Sequence, residues 1–458
     1  MRILLVFPRF KYISGQPPLG IAYLYSFLKK KIPLAEISVF DGTFARGRIR
    51  DFEETISGGK FDMVGFSVMS TMLDDFTTMS AMVRKLSPGS RIVVGGPQPT
   101  VDPDYFFANG LADCVVSGEG EEPLAEYAAN SCSPMGIKGI YYKKGNDILF
   151  GGARDPISDI DDFPIPSREI FDMSSYVGVW NSMDAVSSSL RGTSAIVSRG
   201  CPYKCSFCQP TLRKIFGSRV RKHSPSRVVE EMRYLKERFN INAVMFEDDT
   251  FLIDRKWAAE VCDKMLAAAL EMVWCCNVRA DLCDRSMLGR MREAGLRKIN
   301  IGIESASQRI LDEVFDKGVT IGQVEEAVRI AKELELKVQG YFMIGHYSET
   351  EEDIRRTIDF ASRLNIDEAS FSITTPFPGT FLYDRDIDMI EAGSGQYDYY
   401  KDRVYKDSGL KVSAARVRSL NRLAYLRFYT RPGRLVSQFG HILSPNGLRK
   451  FLYKLQRV

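Results

Sequence analysis

The sequence predicts an α/β protein: an N-terminal doubly wound parallel sheet, then a partial (β/α)6 barrel of the TIM type, then a C-terminal helical extension. Short apolar segments alternate with helical segments through the first ~150 residues, and the same alternation restarts near Ser194. Between the two runs, Gly, Pro, Asp and Ser are frequent and periodicity is weak. We therefore expect domains at residues 1–150 and 191–385, a linker at 151–190 and an extension at 386–458.

Five apolar segments of the first domain have the length of buried parallel strands. The predicted strands are Ile3–Phe7, Ile37–Phe40, Met63–Val68, Arg91–Val94 and Asp113–Ser117, with helices at Leu19–Lys31 and Leu73–Leu86. Glycine-containing turns follow the fourth and fifth of these strands. Ligands of doubly wound sheets bind beyond the carboxyl ends of the strands, so these turns mark a candidate binding site.

The second run contains about six strand–helix units, which is typical of a partial or complete parallel barrel. The predicted strands are Ser194–Ser198, Ala243–Phe246, Met272–Asn277, Lys298–Gly302, Val338–Met343 and Glu368–Ile373. The predicted helices are Pro225–Phe239, Lys256–Leu270, Arg285–Ala294, Ile321–Leu334 and Thr350–Leu364.

The composition is that of a globular protein, with 45% hydrophobic and 26% charged residues among 458. Nine cysteines, an odd number without regular spacing, argue against a secreted disulfide framework. The apolar segment after Met1 is too short for a signal peptide, and no stretch approaches the roughly 18 apolar residues of a membrane-spanning helix. We therefore expect a cytoplasmic protein.

Positive charge is concentrated near the C-terminal end. The net charge is +4, whereas residues 411–458 alone carry eleven Lys or Arg and no Asp or Glu. Leu420, Leu423, Leu426 and Phe428 recur at roughly helical spacing, which favours a helix packed on the barrel with a solvated basic face. The alternative is contact with an anionic membrane surface, or with a phosphate-bearing or lipid-linked substrate. No nucleic-acid-binding module accompanies this segment, so nucleic acid is not expected.

Three cysteines lie within eight residues, directly after a predicted strand. The motif reads Cys201-Pro202-Tyr203-Lys204-Cys205-Ser206-Phe207-Cys208. Thiolates are the soft ligands that iron–sulfur clusters require, and three of them leave one iron of a 4Fe–4S cluster open to a substrate. The alternatives are a zinc site completed by His223, or three unrelated loop thiols.

The Cys-x3-Cys-x2-Cys spacing, with an aromatic residue before the last cysteine, resembles the signature of the radical S-adenosylmethionine (SAM) superfamily. The resemblance implies that Cys201, Cys205 and Cys208 hold a 4Fe–4S cluster and that SAM chelates the open iron. One electron, from an external donor of the flavodoxin or ferredoxin type, then cleaves SAM to methionine and a 5′-deoxyadenosyl radical. By the same resemblance, Phe207 lies against the adenine.

Polar motifs after the later strands extend the resemblance over the barrel. It implies that Asp248 lies near SAM, that Arg279 pairs with the SAM carboxylate and that Glu304 hydrogen-bonds the ribose. Gly345 matches the glycine after the fifth strand, but the usual Leu-Pro-Gly continuation is replaced by His346-Tyr347-Ser348. Helix capping is the alternative role for Asp248, its neighbour Asp249 and Glu304.

The first ~130 residues resemble the cobalamin-binding domain that is fused to many radical SAM proteins. The resemblance rests on four weak motifs in a fixed order before the cysteines, and it implies cobalamin contacts. The residues concerned are Gly20, Ser67, Met69, Gly95, Gly96, Gly118 and Glu119. No histidine precedes His223, so a histidine ligand to cobalt from this domain is excluded, and Gln98 stands where many relatives carry histidine. The alternative is a Rossmann-like domain that binds another nucleotide or none, although a dinucleotide fingerprint is absent.

These cofactors are compatible with three functions. In a cobalamin-dependent C-methyltransferase, the radical removes hydrogen from an unactivated carbon, the carbon takes a methyl group from cobalamin, and a second SAM restores that methyl group. A cyclase or rearrangement enzyme uses both cofactors without methyl transfer. A cobalamin or cluster carrier, or a sensor, catalyses nothing. The substrate, small or lipid-linked, is not identified by sequence because fold does not determine it.

Overall fold

The structure, a computed structural model, describes residues 1–9, 13–45, 48–208, 210–391, 404–406 and 408–434. Its contacts divide the chain into two compact units. The first contains Met1–Ser175 and Gln209–Arg221, and the second contains Tyr176–Cys208 and Lys222–Val458. The four domain limits expected from the sequence stay predictions.

The strands are β1 Arg2–Phe7, β2 Glu36–Asp41, β3 Met63–Ser67, β4 Arg91–Gly95, β5 Cys114–Val116, β6 Ile140–Lys144, β7 Asp147–Phe150, β8 Gly192–Ala195, β9 Ser198–Arg199, β10 Arg221–Lys222, β11 Ala243–Phe246, β12 Val273–Val278, β13 Leu296–Glu304, β14 Lys337–Ile344 and β15 Glu368–Ile373. The helices are α1 Leu19–Lys31, α2 Arg48–Gly58, α3 Leu73–Leu86, α4 Pro97–Val101, α5 Pro103–Ala108, α6 Glu121–Ala129, α7 Met173–Val179, α8 Pro210–Phe216, α9 Pro225–Phe239, α10 Arg255–Ala268, α11 Arg285–Glu293, α12 Ile321–Glu333, α13 Glu351–Arg363, α14 Phe381–Arg385 and α15 Ala414–Tyr429.

The first unit is built on a seven-stranded sheet in the order β2-β1-β3-β4-β5-β6-β7. Strands β1 to β5 are parallel, which confirms the predicted doubly wound sheet. Strands β1, β3, β4 and β5 are apolar and buried along most of their length, as expected for the interior of a parallel sheet, whereas the edge strand β2 buries only Phe40. The antiparallel strands β6 and β7, which the sequence did not predict, extend one edge. The strand order reverses direction between β1 and β3, and this position is the usual ligand site of such sheets.

The second unit is built on a six-stranded parallel sheet in the order β15-β14-β13-β12-β11-β8. On β13, Ile299, Ile301 and Ile303 pack in the core between the sheet and the helices. The alternate residues of β13, including Lys298 and Asn300, therefore face the interior of the barrel. The sheet has β15 and β8 at its edges, which confirms the prediction of a partial barrel.

The segment expected to be a linker also contributes to the second unit. Trp180 and Met183 form a small core with Ala243, Met245 and Cys275. Trp180 is only 1% exposed. Because Ala243 begins β11, this core closes the amino-terminal end of the barrel.

Helix α15 covers the edge strand β15. The Tyr425 hydroxyl donates to the Phe371 carbonyl at 3.1 Å and accepts from its amide at 3.1 Å, and Tyr429 does the same at Ala369. These bonds satisfy edge groups that would otherwise be unpaired. The predicted packed helix of the basic segment is confirmed for Ala414–Tyr429, whereas 435–458 lie outside the described residues. Within the described part of the chain, no helix is both long and apolar enough to span a bilayer.

Candidate active site

The cysteine loop follows β9 and is held by its own backbone. The amide of Ser206 donates to the Phe315 carbonyl at 2.9 Å, and its hydroxyl donates to the Val314 carbonyl. The Ser206 carbonyl accepts from the amide of Leu382 at 2.8 Å. The loop is therefore fixed at its centre without any contribution from the thiols.

The three thiols of this loop are accessible to differing extents: Cys201 and Cys205 are half-buried and Cys208 is exposed. Among the described residues, no three His, Cys, Asp or Glu side chains are grouped so that they could hold one metal ion. A zinc ion needs all its ligands on one tetrahedral centre. A 4Fe–4S cluster instead takes each cysteine on a different iron. Three thiols within one eight-residue loop are a donor set of the kind that a 4Fe–4S cluster takes.

Arg279 is a cation that lies beside the loop. Its Nη1 lies 3.6 Å from Cys205 Sγ, and its guanidinium carbon lies 3.6 Å from the centre of the Tyr203 ring. Asp281 accepts from Arg279 Nε and Nη2 at 3.0 and 3.2 Å, which fixes the direction of the fork. Burial raises the pKa of the Cys201 thiol and therefore favours its neutral form. The positive charge of Arg279 acts in the opposite direction and favours the thiolate.

Glu304 lies at the end of β13 and forms a buried ion pair with Lys317. Lys317 Nζ donates to Glu304 Oε1 at 2.7 Å, and both side chains are 8% exposed. A Cβ on Gly302 would lie 2.5 Å from that carboxylate oxygen, so a larger residue there would displace the pair from its present position. The backbone φ of Glu304 is +65°, which is strained for a residue other than glycine. Such strain is typical of functional positions.

Lys317 connects several predicted site residues, although the sequence analysis did not identify it. Its Nζ lies 5.6 Å from the centre of the Phe207 ring, and its carbonyl accepts from Arg279 Nη2 at 2.8 Å. Lys317 precedes Gly318 in an irregular segment, and this local sequence carries no sign of the partners 13 to 110 residues away. Phe207, Arg279 and Glu304 are thus brought together around one lysine.

Asp248 supports the chain that leads into the cysteine loop. Its carboxylate accepts from the amide of Val197 at 3.1 Å and from the hydroxyl of Ser198. Burial raises the pKa of this carboxyl to about 7, despite those hydrogen bonds. The capping role considered for Asp248 and Asp249 is wrong, because Asp254 caps the next helix by accepting from the amide of Trp257. Glu304 is likewise paired with Lys317 rather than with a helix terminus.

Gly345 follows β14 and has a packing reason for being glycine. Its φ is +93°, and a Cβ there would lie 2.6 Å from Val417 Cγ1 of α15. Its amide and that of His346 donate to Glu349 Oε2 at 2.6 and 2.8 Å. The structure therefore explains Gly345 by the close approach of α15, independently of any contact with SAM.

We expect Glu349 to make stability depend on pH. Complete burial raises the pKa of its carboxyl from 4.5 to about 8, although two amides donate to it. Between these values the folded protein binds a proton that the unfolded chain has lost. The free energy of unfolding should therefore fall as pH rises, by up to about 1.4 kcal/mol per pH unit. Urea unfolding of wild type and Glu349→Gln from pH 5 to 8 measures this contribution.

The matched control for that experiment is Glu352→Gln, because the Glu352 side chain is 82% exposed. The free energy of unfolding of wild type minus that of Glu349→Gln should decrease steadily as pH rises. The same difference for Glu352→Gln should stay constant. A constant difference for Glu349→Gln would show that this carboxyl has an ordinary pKa.

In the first unit, hydrogen bonds bring the ends of β3 and β4 together. The amide of Val68 donates to the Gly95 carbonyl at 2.9 Å, and the amide of Gln98 donates to the Val68 carbonyl at 3.2 Å. The Ser70 hydroxyl donates to Gln98 Oε1 at 2.6 Å. These bonds place the two turns that contain the predicted residues Ser67, Met69, Gly95 and Gly96 beside each other, at the carboxyl edge of the sheet.

The remaining predicted residues of this unit are less closely grouped. The amide of Gly118 donates to Thr100 Oγ1 at 3.1 Å, which links the end of β5 to α4. Gly20 is exposed in the first turn of α1. Glu119 forms a two-pronged ion pair with Arg221, at 2.9 Å for each bond, with side chains 7% and 5% exposed. Glu119 therefore holds the returning segment of the first unit, a role that the sequence analysis did not foresee.

Two family profiles match this chain: the Radical SAM superfamily at residues 195–361 and the B12 binding domain at residues 14–128. An uncharacterized methyltransferase of Pyrococcus horikoshii is 33% identical over 95% of this chain and 94% of its own length. The anaerobic magnesium-protoporphyrin IX monomethyl ester cyclase of Cereibacter sphaeroides is 28% identical over 88% of this chain and 65% of that protein.

Solved structures share the fold. The radical SAM methyltransferase TsrM of Kitasatospora setae, with cobalamin and a 4Fe–4S cluster bound, matches with a TM-score of 0.71 and 20% identity, over 86% of this chain and 78% of that one. The cobalamin-dependent radical SAM enzyme OxsB matches with a TM-score of 0.66 and 20% identity, over 84% of this chain and 55% of that one.

Proposed function

This chain belongs to the radical SAM enzymes that carry a B12-binding domain, whose cofactors are a 4Fe–4S cluster, SAM and cobalamin, and we propose that it is a cobalamin-dependent C-methyltransferase acting on an unactivated carbon. The observation that carries the proposal is its similarity, at 33% identity and over nearly the full length of both chains, to a protein named a methyltransferase. The cytidylyl-2-hydroxyethylphosphonate methyltransferase of Streptomyces wedmorensis adds support, at 23% identity over 80% of this chain.

When bound, the cluster and cobalamin supply an electron for SAM cleavage and a methyl group, respectively. The chain holds the cluster through Cys201, Cys205 and Cys208. Arg279 Nη1 faces the loop while Asp281 holds the rest of its guanidinium, and this N–H group is the donor proposed for the SAM carboxylate. In the proposal, Phe207 lies against the adenine and Glu304 against the ribose.

Polar side chains line the interior of the barrel below this site. Asn300 Nδ2 donates to Asn277 Oδ1 at 3.2 Å, and Lys298 Nζ donates to Gln339 Oε1 at 2.8 Å and to Glu368. Barrel interiors are more often filled with branched apolar residues. Lys298 and Asn300 are 1% and 3% exposed and already hydrogen-bonded within the chain, so this network stabilises the interior of the barrel.

The proposal can be tested without the substrate. Full-length protein is reconstituted without oxygen with iron, sulfide and hydroxocobalamin, and is then reduced with dithionite in the presence of SAM. We expect 5′-deoxyadenosine, and also S-adenosylhomocysteine up to about one equivalent per bound cobalamin, because a single remethylation needs no substrate. Chromatography of both products, together with the cobalamin absorbance, gives the stoichiometry.

The second candidate function is cyclisation without methyl transfer, favoured by the 28% identity to the magnesium-protoporphyrin cyclase. Formation of 5′-deoxyadenosine without S-adenosylhomocysteine, with cobalamin bound, would favour this function and contradict methyl transfer. Formation of neither product, with the cluster intact, would contradict both and favour a carrier.

A further inference from the structure

A network of four polar side chains lies after β14, in which His346, Asp386 and Tyr405 are buried and Arg385 is 41% exposed. His346 Nε2 and Asp386 Oδ2 are 2.9 Å apart, and these side chains are 1% and 0% exposed. The Tyr405 hydroxyl donates to the same oxygen at 2.8 Å, and Arg385 Nε donates to Oδ1 at 2.9 Å. Asp386 is therefore bonded to three side chains from three parts of the second unit.

The network continues toward the cysteine loop through helix α14. Arg385 Nη1 donates to the carbonyls of Glu313 and Val314 at 3.1 and 3.2 Å. Val314 also accepts from the Ser206 hydroxyl, and at the other end of α14 the amide of Leu382 donates to the Ser206 carbonyl at 2.8 Å. Ser206 lies between Cys205 and Phe207 in the cysteine loop. One end of α14 is therefore bonded to the loop itself through Leu382. The other end is bonded through Arg385 to Val314, whose carbonyl also holds the loop.

Apolar contacts reinforce the same connection. Leu382 belongs to a core with Val314 and Phe315, and Phe207 packs against it. The Phe207 and Phe315 ring centres are 5.1 Å apart in an edge-to-face arrangement. A displacement of α14 would therefore move the loop through packing as well as through hydrogen bonds.

We propose that His346, Asp386 and Tyr405 are positioning residues that hold α14 against the cysteine loop and so set the geometry in which the iron–sulfur cluster is retained. None of the three is bonded to a cysteine; they act through Arg385, Leu382 and Ser206. His346 occupies the loop position at which this chain departs from the usual Leu-Pro-Gly sequence. The inference rests on the loop holding a cluster and is independent of methyl transfer.

The test compares two aspartates that bind residues near opposite ends of β14: Asp386 contacts His346 just after the strand, and Asp367 contacts Lys337 and Val338 where the strand begins. Asp386→Asn weakens the network, and Asp367→Asn is the matched control. Asp367 also accepts from three donors, Lys332 Nζ at 2.8 Å, Lys337 Nζ at 3.1 Å and the Val338 amide at 2.9 Å, but it lies at the amino-terminal end of the strand. Loss of outer hydrogen bonds commonly weakens metal binding by 10–100-fold, so we expect a chelator to remove iron about ten times faster from Asp386→Asn than from wild type or the control.

Two further measurements separate positioning from general loss of stability. In the iron-free protein, hydrogen exchange of Phe381–Arg385 and of the cysteine loop should accelerate in Asp386→Asn but not in Asp367→Asn. In the reconstituted protein, the electron paramagnetic resonance spectrum of the reduced cluster should change only in Asp386→Asn. Gln retains a side-chain N–H, so His346→Gln should release iron more slowly than His346→Ala.

Tyr405→Phe removes one donor and keeps the ring, so it provides the same test if Asp386→Asn does not fold. Equal rates of iron release from Asp386→Asn and Asp367→Asn would overturn the proposal. It would also be overturned if iron release and exchange stayed at wild-type values while only 5′-deoxyadenosine formation fell, because the network would then act on the reaction instead of the loop.

Discussion

Simultaneous replacement of Cys201, Cys205 and Cys208 by alanine is expected to abolish iron binding and SAM cleavage while the protein stays folded. In the proposed function, each thiolate supplies one of the three protein bonds to the cluster, so no protein ligand to the cluster remains in the triple variant. The fold should survive because the thiols are half-buried or exposed and Ser206 holds the loop through its backbone. Iron content, brown absorbance and 5′-deoxyadenosine formation are the measurements.

The control for this experiment is Cys132→Ala, which removes a half-buried thiol from the first unit. It should keep full iron content and SAM cleavage. If the triple variant retained the brown chromophore, the cluster would have to lie elsewhere. If wild type, loaded without oxygen, bound only zinc at these thiols, the assignment to SAM chemistry would be wrong.

Lys317→Met is expected to have the largest effect on stability among single substitutions near the site. It removes the partner of Glu304 and leaves a carboxylate that is 8% exposed beside the barrel interior. Breaking a buried ion pair from one side commonly costs about 3–5 kcal/mol, because the remaining charge is neither solvated nor paired. Urea unfolding of the iron-free protein measures the loss, and SAM binding to the reconstituted protein should weaken as well.

Two further variants show whether this loss comes from the buried charge. Arg329→Met removes a pair with Glu326 in which both side chains are more than half exposed, and it should leave stability nearly unchanged. The double variant Lys317→Met with Glu304→Gln should recover part of the stability lost in Lys317→Met, because no unpaired carboxylate remains. Equal effects of Lys317→Met and Arg329→Met would contradict the assignment of a buried ion pair.

The sheets could be predicted from the sequence because buried parallel strands are short apolar runs that stand out from amphipathic helices. Glu368–Ile373 and Ala243–Phe246 were predicted with the bounds that β15 and β11 have in the structure. The predicted strand Ser194–Ser198 was less accurate. The chain there forms β8, which ends at Ala195, and then β9, since the segment must turn into the cysteine loop. Both predicted folds are confirmed, as is the packing of α15 on the barrel.

The parts of the site that the sequence did not predict are contacts between residues far apart along the chain. Lys317 and Arg221 are ordinary basic residues in the sequence, and only the fold brings them to Glu304 and Glu119. The strands β6 and β7 were not predicted because residues such as Lys143 and Lys144 give them a surface-like composition, as expected at a sheet edge. The roles predicted for Gly20, Met69 and the other cofactor-contact residues stay proposals.

The path of the chain after Cys208 limits how this protein can be divided. After Cys208, the chain completes the first unit with α8, which packs on α4, and enters the second unit again at Lys222. A gene fragment that stops before Gln209 would give a first unit in which Glu119 lacks its buried counter-ion, and a fragment that starts near Tyr176 would carry Arg221 without Glu119. Recombination with a related gene must therefore transfer two separate stretches of sequence together, and a chimera joined at a single crossover would inherit an incomplete module.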